Sequence, residues 1–287
     1  MQAILFAIIA YFTWGIGIFF EAIVARRLNS HSLMFWGFLL SFLLMSLYIP
    51  YDLDNFYKYS FSLLIFNLAL GLFALATGTF TYFEALKREN RALVGTIASS
   101  FPMVTVLFSL LFLNEMISLS QGIAISIIFA GLFLSIISKE FHVKNFKLDQ
   151  GIFLSLIAMF AWGIYFALLK IVVLQVGWFW PNYIAISVFP LILLYMKLRS
   201  IKLEGFTRNN ALTPLIVSTV LVRVAEFSYS AGISQGLVAI VAPIAGANPT
   251  LFVIFAFLFF KDPITKQQTF GIITTLTGII LLSFFSV

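Results

Sequence analysis

The chain has 287 residues, of which 62% are hydrophobic and only 10% are charged, and its mean hydropathy is +1.07. Soluble domains carry about 25% charged residues, so this composition excludes a soluble fold and predicts an integral membrane protein. Cysteine is absent, which excludes disulfides, thiol catalysis and cysteine-ligated metals, and the two histidines, His31 and His142, lie far apart. The net charge of +6 comes from residues that border apolar stretches, which indicates membrane orientation rather than nucleic-acid binding.

A helix needs about 20 apolar residues to cross the hydrocarbon core of a bilayer. With that length as a guide the sequence predicts an all-α protein of ten membrane spans joined by short connectors. In chain order, spans 1 to 10 cover 3–25, 33–50, 61–86, 92–113, 121–138, 151–174, 180–197, 212–234, 237–260 and 269–286. Because the first span begins at once, without a charged leader, we expect no cleavable signal peptide.

The fourth span returns later in the chain as the ninth. A shift of 147 residues lays Ala239–Asp262 on Ala92–Glu115, with Pro249 on Pro102, and the register holds from Tyr82/Tyr229 to Gly131/Gly278. A shift of 148 lays the Trp162-Gly163 helix on the Trp14-Gly15 helix. Matching prolines, Trp-Gly pairs and acidic helix ends in one register indicate an internal duplication.

The duplication predicts two repeats, residues 1–138 and 151–287, joined by a polar linker at 139–150. Since each repeat has five spans, the second must enter the membrane from the opposite side, which makes the repeats inverted about an axis in the membrane plane. Such symmetry favours alternating access, because two similar halves can exchange conformations.

Basic residues are strongly biased to one side of the membrane. The loops after spans 1, 3, 5, 7 and 9 hold fourteen lysines and arginines, whereas the other loops and the termini hold Lys58 alone. We call the first side the basic side. The positive-inside rule places it in the cytoplasm and both termini outside.

Ionisable groups within spans are costly and start as functional candidates. Arg223 lies in the middle of span 8, and Glu226 follows at the i, i+3 spacing that allows pairing. The pair is either a packing device, or Arg223 binds an anionic substrate group while Glu226 holds it or carries a proton. Lys170 and Glu21, near the ends of spans 6 and 1, either have a site role or extend toward the interface.

Three further acidic residues, at span ends, have simpler interpretations. Glu84, beside Lys87 and Arg88, is predicted to form an interfacial ion pair. Glu115 and Asp262 are predicted to mark helix ends in the two repeats.

The predicted site lies at mid-membrane depth. Trp14 and Trp162 fall there, although tryptophan prefers the interface. They either pack the core or wall a central cavity, with Tyr11 on the same helix face as Trp14. Asn248 precedes Pro249, and proline frees a backbone carbonyl that is tolerated at this depth only inside protein or beside water. We assign Pro102 and Pro249 as helix kinks, and add the matched Tyr82 and Tyr229 to the substrate site.

The remaining observations concern small residues that allow helix packing and motifs that the sequence lacks. Gly71, Gly78 and Gly95, with the small residues Ala74, Ala98 and Ser99, are predicted to be scaffold positions that allow close helix packing. The sequence contains no Walker loop, no paired carboxylates with a nucleophile and no metal-ligand cluster. We therefore expect no enzyme activity and no cofactor, and transport driven by a gradient.

The sequence resembles the drug/metabolite transporter superfamily, specifically a ten-span EamA-type permease. The resemblance rests on the two Trp-Gly helices, the segment Tyr82–Leu86 leading to Pro102, and the repeat endings at Glu115, Gln121, Gly131 and at Asp262, Gln268, Gly271, Gly278. It implies a ten-helix basket around a central cavity, and export of amino acids or related metabolites. It also implies cytoplasmic termini in many members, whereas the charge bias here favours external ones.

Together these observations predict a multi-pass transporter of the inner or plasma membrane that exports small polar metabolites, above all amino acids or similar zwitterions. We expect a monomer in the lipid bilayer, with protons as a candidate coupling ion and no nucleic-acid partner. Import or exchange of sugars, nucleosides or organic anions is the alternative, and Lys170 would favour the last of these. A membrane scaffold, an intramembrane enzyme and a lipid flippase are more distant alternatives.

Overall fold

The computed structural model describes residues 1–88, 91–136, 149–206, 210–261 and 263–286. Asp262 and most of the predicted linker lie outside the described residues. The helices are α1 Gln2–Ala25, α2 Ser30–Ser46, α3 Ile49–Phe56, α4 Phe61–Phe73, α5 Phe80–Leu86, α6 Arg91–Ala98, α7 Phe101–Phe112, α8 Leu119–Ile136, α9 Gln150–Val176, α10 Phe179–Ile186, α11 Pro190–Leu198, α12 Leu212–Gln235, α13 Val238–Ala245, α14 Pro249–Phe255 and α15 Lys266–Phe285. π-helical turns at Ala74–Thr79 and Ala256–Phe260 continue α4 into α5 and extend α14.

These helices confirm the all-α membrane fold with two five-helix repeats. Across the described ranges, nine helices are long and apolar enough to span a membrane, and they match predicted spans 1 and 3 to 10 within a few residues. The remaining span, span 2, is broken because α2 ends at Ser46 and α3 departs at 83°. The predicted boundary at residue 50 was therefore wrong. Pro50 opens α3, where a missing N–H is tolerated, and Asp52 and Asp54 make that short helix polar.

Side chains with hydrogen-bond acceptors fix where several helices begin. Asn29, Ser60 and Asp149 each accept a backbone N–H three residues on, at the starts of α2, α4 and α9. Thr265 and Gln268 form a reciprocal capping box at the start of α15. Such caps stabilise a helix end by about 1 kcal/mol because they satisfy amides that have no partner within the helix.

Spans 4 and 9 are interrupted beside their prolines. Helix α6 ends at Ala98 and α7 begins at Phe101, while α13 ends at Ala245 and α14 begins at Pro249. Pro102 and Pro249 both lie in the first turn of the following helix, where the ring fixes a helical φ without removing a hydrogen bond. The two breaks occupy the same place in the two repeats.

Packing between the halves follows a pseudo-two-fold pattern. Span 1 packs against spans 8 and 9, and span 6 packs in the same way against spans 3 and 4. The Trp-Gly helices make matched close approaches, since a Cβ at Gly15 would lie 2.7 Å from Leu251 Cβ and one at Gly163 would lie 2.5 Å from Val104 Cβ. Leu251 and Val104 are themselves related by the shift of 147.

The largest apolar core lies in the half of the bundle away from the basic side. It joins the first part of α1, the last parts of α9 and α12, the start of α8 and all of α13. Tyr229, Ile128, Ile244 and Leu282 are buried in it. Because these side chains fill the space between the repeats, we call this part of the bundle the closed half.

Candidate functional site: a central cavity between the repeats

A cavity of about 680 Å³ lies between the two repeats. It is lined by α1, the π-helical turn of span 3 and α6 from the first half, and by α9, α10, α12 and the α13–α14 break from the second. The lining runs from mid-span residues such as Trp14 and Trp162 to Glu21, Tyr82 and Ile136, which lie toward the basic-side ends of their spans. The volume falls within the range of about 300–1,000 Å³ that is usual for small-molecule sites.

Eight of the 28 residues that line the cavity carry aromatic rings. Trp162 packs against Tyr82 with their ring centroids 5.3 Å apart, and Trp14 packs edge-on against Phe166 at 5.6 Å. Phe166 in turn stacks on Phe101 at 5.0 Å. The second half contributes Tyr165 as well. Rings that brace one another in this way hold fixed faces toward whatever occupies the cavity.

Three ionisable side chains with opposite charges line the same cavity, namely Glu21, Arg223 and Glu226. Arg223 is 8% exposed, and its Nη1 forms an ion pair with the Glu226 carboxylate. Its Nε finds no hydrogen-bond acceptor among the described residues. A buried guanidinium N–H without an acceptor is costly, so this atom is a candidate contact for an anionic or carbonyl group.

Glu21 lines the same cavity, whereas the sequence left open whether it has a site role or extends toward the interface. Trp14, Ile18 and Glu21 follow one another at i, i+4 and i+7 along α1, and all three line the cavity. That spacing puts them on a single helix face, so the periodicity of α1 was the signal that could have found Glu21.

The neutral polar groups of the site are held by neighbouring backbone and side chains. Asn248 donates from Nδ2 to the carbonyl of Ala245 at 3.0 Å. Asn182 donates to the Ser230 hydroxyl at 2.8 Å and to the carbonyl of Trp178 at 2.7 Å. Both amide groups lie in the cavity lining with their donors engaged, which fixes the orientation of their side chains.

Of the predicted site residues, Trp14, Tyr82, Trp162, Arg223, Glu226, Asn248 and Pro249 line the cavity. Tyr11 and Tyr229 lie in the closed half instead. The Tyr11 hydroxyl bonds the Thr250 hydroxyl at 2.8 Å, and Tyr229 donates to the carbonyl of Phe166 at 3.2 Å. Pro102 lies outside the lining. It belongs to the break in span 4 and contacts Gly246, which belongs to the break in span 9.

Lys170 also lies outside the cavity lining, in a polar cluster on the side opposite the basic loops. Its Nζ is 2.7 Å from Glu115 Oε1 and donates to the carbonyl of Gly236 at 2.9 Å. The Glu115 carboxylate also accepts the backbone N–H groups of Val238 and Ala239 at 2.9 and 2.8 Å. The helix-end interpretation of Glu115 therefore missed its main contacts, which tie span 4 to span 6 and to the start of α13.

The predicted scaffold glycines divide into two kinds. A Cβ at Gly71 would lie 2.8 Å from the Ala185 backbone, and one at Gly78 would lie 2.5 Å from Trp162 Nε1, so both allow close packing. Gly95 meets nothing within 4 Å. Gly95 lines the cavity together with Ala98 and Ser99, so the close packing predicted at Gly95 is absent, whereas Ala98 is 1% exposed and does pack closely.

Glu84 does lie in the predicted ion pair, although the cluster is larger than expected. It contacts Lys87, Arg88 and Arg199 and accepts the Tyr195 hydroxyl at 2.7 Å. Within the described ranges, no group of three histidine or acidic side chains comes together as a metal site would require. The side chains that line the cavity can recognise a ligand by charge, hydrogen bonds and aromatic faces.

Two inverted repeats of membrane helices around a central cavity, whose largely apolar wall carries a few ionisable side chains, define a multi-pass membrane protein of the transporter type. The model of the EamA-like transporter family matches residues 1–137 and 149–284, and the chain belongs to that family.

Two further similarities agree with this assignment. The chain is 30% identical over 136 residues to the uncharacterized protein MJ1333.1 of Methanocaldococcus jannaschii, a match that covers 47% of this chain and 98% of that protein. That relative is therefore about one repeat long. A crystal structure of a protein superposes with a TM-score of 0.79 at 16% identity, covering 98% of this chain and 96% of that one, and shares the fold.

Proposed function

We propose that this protein is a secondary active transporter that exports small polar metabolites, most of all amino acids or related zwitterions. One observation carries the proposal: a cavity of about 680 Å³ with aromatic walls holds a buried guanidinium whose Nε has no acceptor among the residues that the structure describes. Intramembrane charges of this kind mark substrate pathways, and sites in repeat-built transporters lie at this depth.

The way the cavity is closed on one side supports alternating access as the mechanism. The apolar core and the Glu115–Lys170 ion pair fill the half opposite the basic loops, whereas the cavity lining extends toward the basic side. This arrangement corresponds to a form open toward the basic side, which the positive-inside rule places in the cytoplasm. Export would then require the two repeats to exchange their conformations across the pseudo-two-fold axis.

Protons are the coupling ion that we propose. Glu226 lies in the cavity beside Arg223, with Glu21 and Tyr165 also close enough for electrostatic interaction. A carboxylate that binds either a proton or a substrate group can couple proton movement to substrate movement. The coupling arises because the charge of the site differs between the substrate-bound and the substrate-free form.

The test compares growth media from cells that produce the wild type, Arg223→Ala, Arg199→Ala or no transporter. Arg199 is a matched control, because its side chain is 51% exposed at the basic side and lies outside the cavity lining. We expect one class of metabolite, analysed by mass spectrometry, to accumulate with the wild type and Arg199→Ala but not with Arg223→Ala. The amount of each variant in the membrane is measured in parallel.

Equal media from all four cultures, with protein present in the membrane, would contradict export. Uptake into membrane vesicles would then test the reverse direction. A loss of membrane-inserted protein confined to Arg223→Ala would assign Arg223 to packing instead of to substrate binding.

A further inference from the structure

Glu21 is an acidic side chain in the lining of the cavity. Within the described part of the chain, neither a hydrogen bond nor an ion pair connects its carboxylate to another residue, although Arg223 and Glu226 are close enough to interact with it electrostatically. It lies about 10 Å along α1 from Trp14, toward the basic side. An unpaired carboxylate at this depth is costly unless a ligand or water receives it.

The charges that line the cavity do not balance. Two carboxylates, Glu21 and Glu226, face one guanidinium, that of Arg223. The Arg223–Glu226 ion pair uses one carboxylate, which leaves Glu21 as a carboxyl group whose negative charge, when ionised, has no countercharge of its own among the described lining residues. Low dielectric surroundings strengthen the attraction between such a charge and a ligand cation.

Within the described residues, the guanidinium of Arg223 has an unused hydrogen-bond donor. Arg223 contacts Glu226 through Nη1, while its buried Nε has no acceptor in the described structure. The cavity therefore presents one unused cation contact and one unused anion contact. A ligand that carries both charges satisfies the two contacts at once, which neither an amine nor a carboxylic acid alone can do.

We propose that Glu21 binds the ammonium group of a zwitterionic substrate whose carboxylate lies at Arg223. The assignment rests on the proposed transport function and names the residue that selects for an amino group. Tyr82 lies near Glu21 and lines the same cavity, so its aromatic ring borders the ammonium subsite. Such rings add a favourable cation–π contribution for an ammonium ion.

The test measures binding to the purified full-length protein in detergent with three probes of one carbon skeleton. L-Leucine carries both charges, 3-methylbutylamine lacks the carboxylate, and 4-methylpentanoate lacks the ammonium group. None of them absorbs where tryptophan is excited, so binding is followed by the change in the protein's intrinsic fluorescence, to which Trp14 and Trp162 in the cavity wall contribute two of the five tryptophans. Calorimetry checks each dissociation constant.

The wild type is expected to bind L-leucine at least tenfold more tightly than either single-charge probe. Glu21→Gln should lose about tenfold or more for L-leucine and 3-methylbutylamine, the scale of one charged hydrogen bond. Its affinity for 4-methylpentanoate should be unchanged or higher. Asp54→Asn, which removes an exposed carboxylate on α3, is the matched control and should behave as the wild type.

Three results separate the ammonium subsite from the wider function. Equal loss of all three probes in Glu21→Gln, or no loss of L-leucine, overturns the assignment of Glu21. Binding of 3-methylbutylamine alone, still dependent on Glu21, keeps the cation subsite but refutes the zwitterion. Glu21-dependent L-leucine binding together with unchanged growth media leaves the subsite in place and contradicts export only. Thermal unfolding of each variant verifies that it is folded.

Discussion

The crossing of α8 and α15 offers a sharp test of how closely the repeats pack. Both helices carry a glycine there, and the contacts are symmetric. A Cβ at Gly278 would lie 2.8 Å from the Ile128 backbone nitrogen, and one at Gly131 would meet the Thr275 backbone nitrogen and lie 2.8 Å from the carbonyl oxygen of Gly271. In Gly131→Ala the new methyl group therefore strikes backbone that no rotamer change can move.

The magnitude follows from two opposing effects. Overpacking of this kind costs about 1–3 kcal/mol, because the helices must separate. Alanine recovers about 0.5–1 kcal/mol, since glycine is unfavourable within a helix. The net loss for Gly131→Ala is about 0–2.5 kcal/mol, centred near 1 kcal/mol, which corresponds to a Tm lower by up to about 10 °C on the scale of about 2–4 °C per kcal/mol.

Gly122→Ala is the matched control on the same helix. Its Cβ would lie 3.8 Å from the Ile117 Cδ1, an ordinary contact, so Tm should stay constant or rise. Unfolding of the three proteins is followed in one detergent by the intrinsic fluorescence of tryptophan. If Gly131→Ala is as stable as Gly122→Ala, spans 5 and 10 do not pack as closely as described and the reasoning fails.

Two further predictions concern the buried charges. Glu115→Gln should lower stability by about 3–5 kcal/mol because it leaves the Lys170 ammonium buried and unpaired, and Glu115→Gln with Lys170→Met should recover part of the loss. The stability of each protein is measured by thermal unfolding. Equal stability of the wild type and Glu115→Gln would contradict the Glu115–Lys170 ion pair. In Glu226→Gln, transport into vesicles should lose the pH dependence of the wild type if Glu226 carries the coupled proton. A retained pH dependence would remove Glu226 from that role, with Glu21 as the next carboxylate to replace.

The sequence predicted the features that repeat and missed those that depend on contacts between distant helices. The duplication, the span number and the positions of Trp14 and Trp162 follow from periodicity and register alone. The bend after Ser46 was missed because residues 47–49 are apolar and continue the hydropathy of α2. Hydropathy reports how apolar a segment is, and it does not report where a helix turns.

Glu115 and Lys170 illustrate a second limit. They are 55 residues apart and belong to different repeats, so the sequence offered no pattern that would join them. Glu21 was within reach of helical periodicity, but which face of α1 meets the cavity depends on the helices that pack around it. The polar contacts of a membrane protein are thus less predictable than its spans, because each needs partners from separate helices.

The Glu115–Lys170 pair also bears on which form of the carrier rests when it is empty. The position that matches Lys170 in the first repeat is Ala22, so duplication preserved the backbone symmetry but left this ammonium group in one copy only. In the proposed cycle, closure of the side opposite the basic loops forms the Glu115–Lys170 ion pair. Closure of the basic side cannot form the equivalent pair, because Ala22 has no ammonium group. Each 1.4 kcal/mol of such a difference shifts the two populations about tenfold. The substrate-free transporter would then populate mainly the form whose cavity is open toward the basic side. The change to the form open on the opposite side would require free energy from binding of the ligand or of the coupled ion.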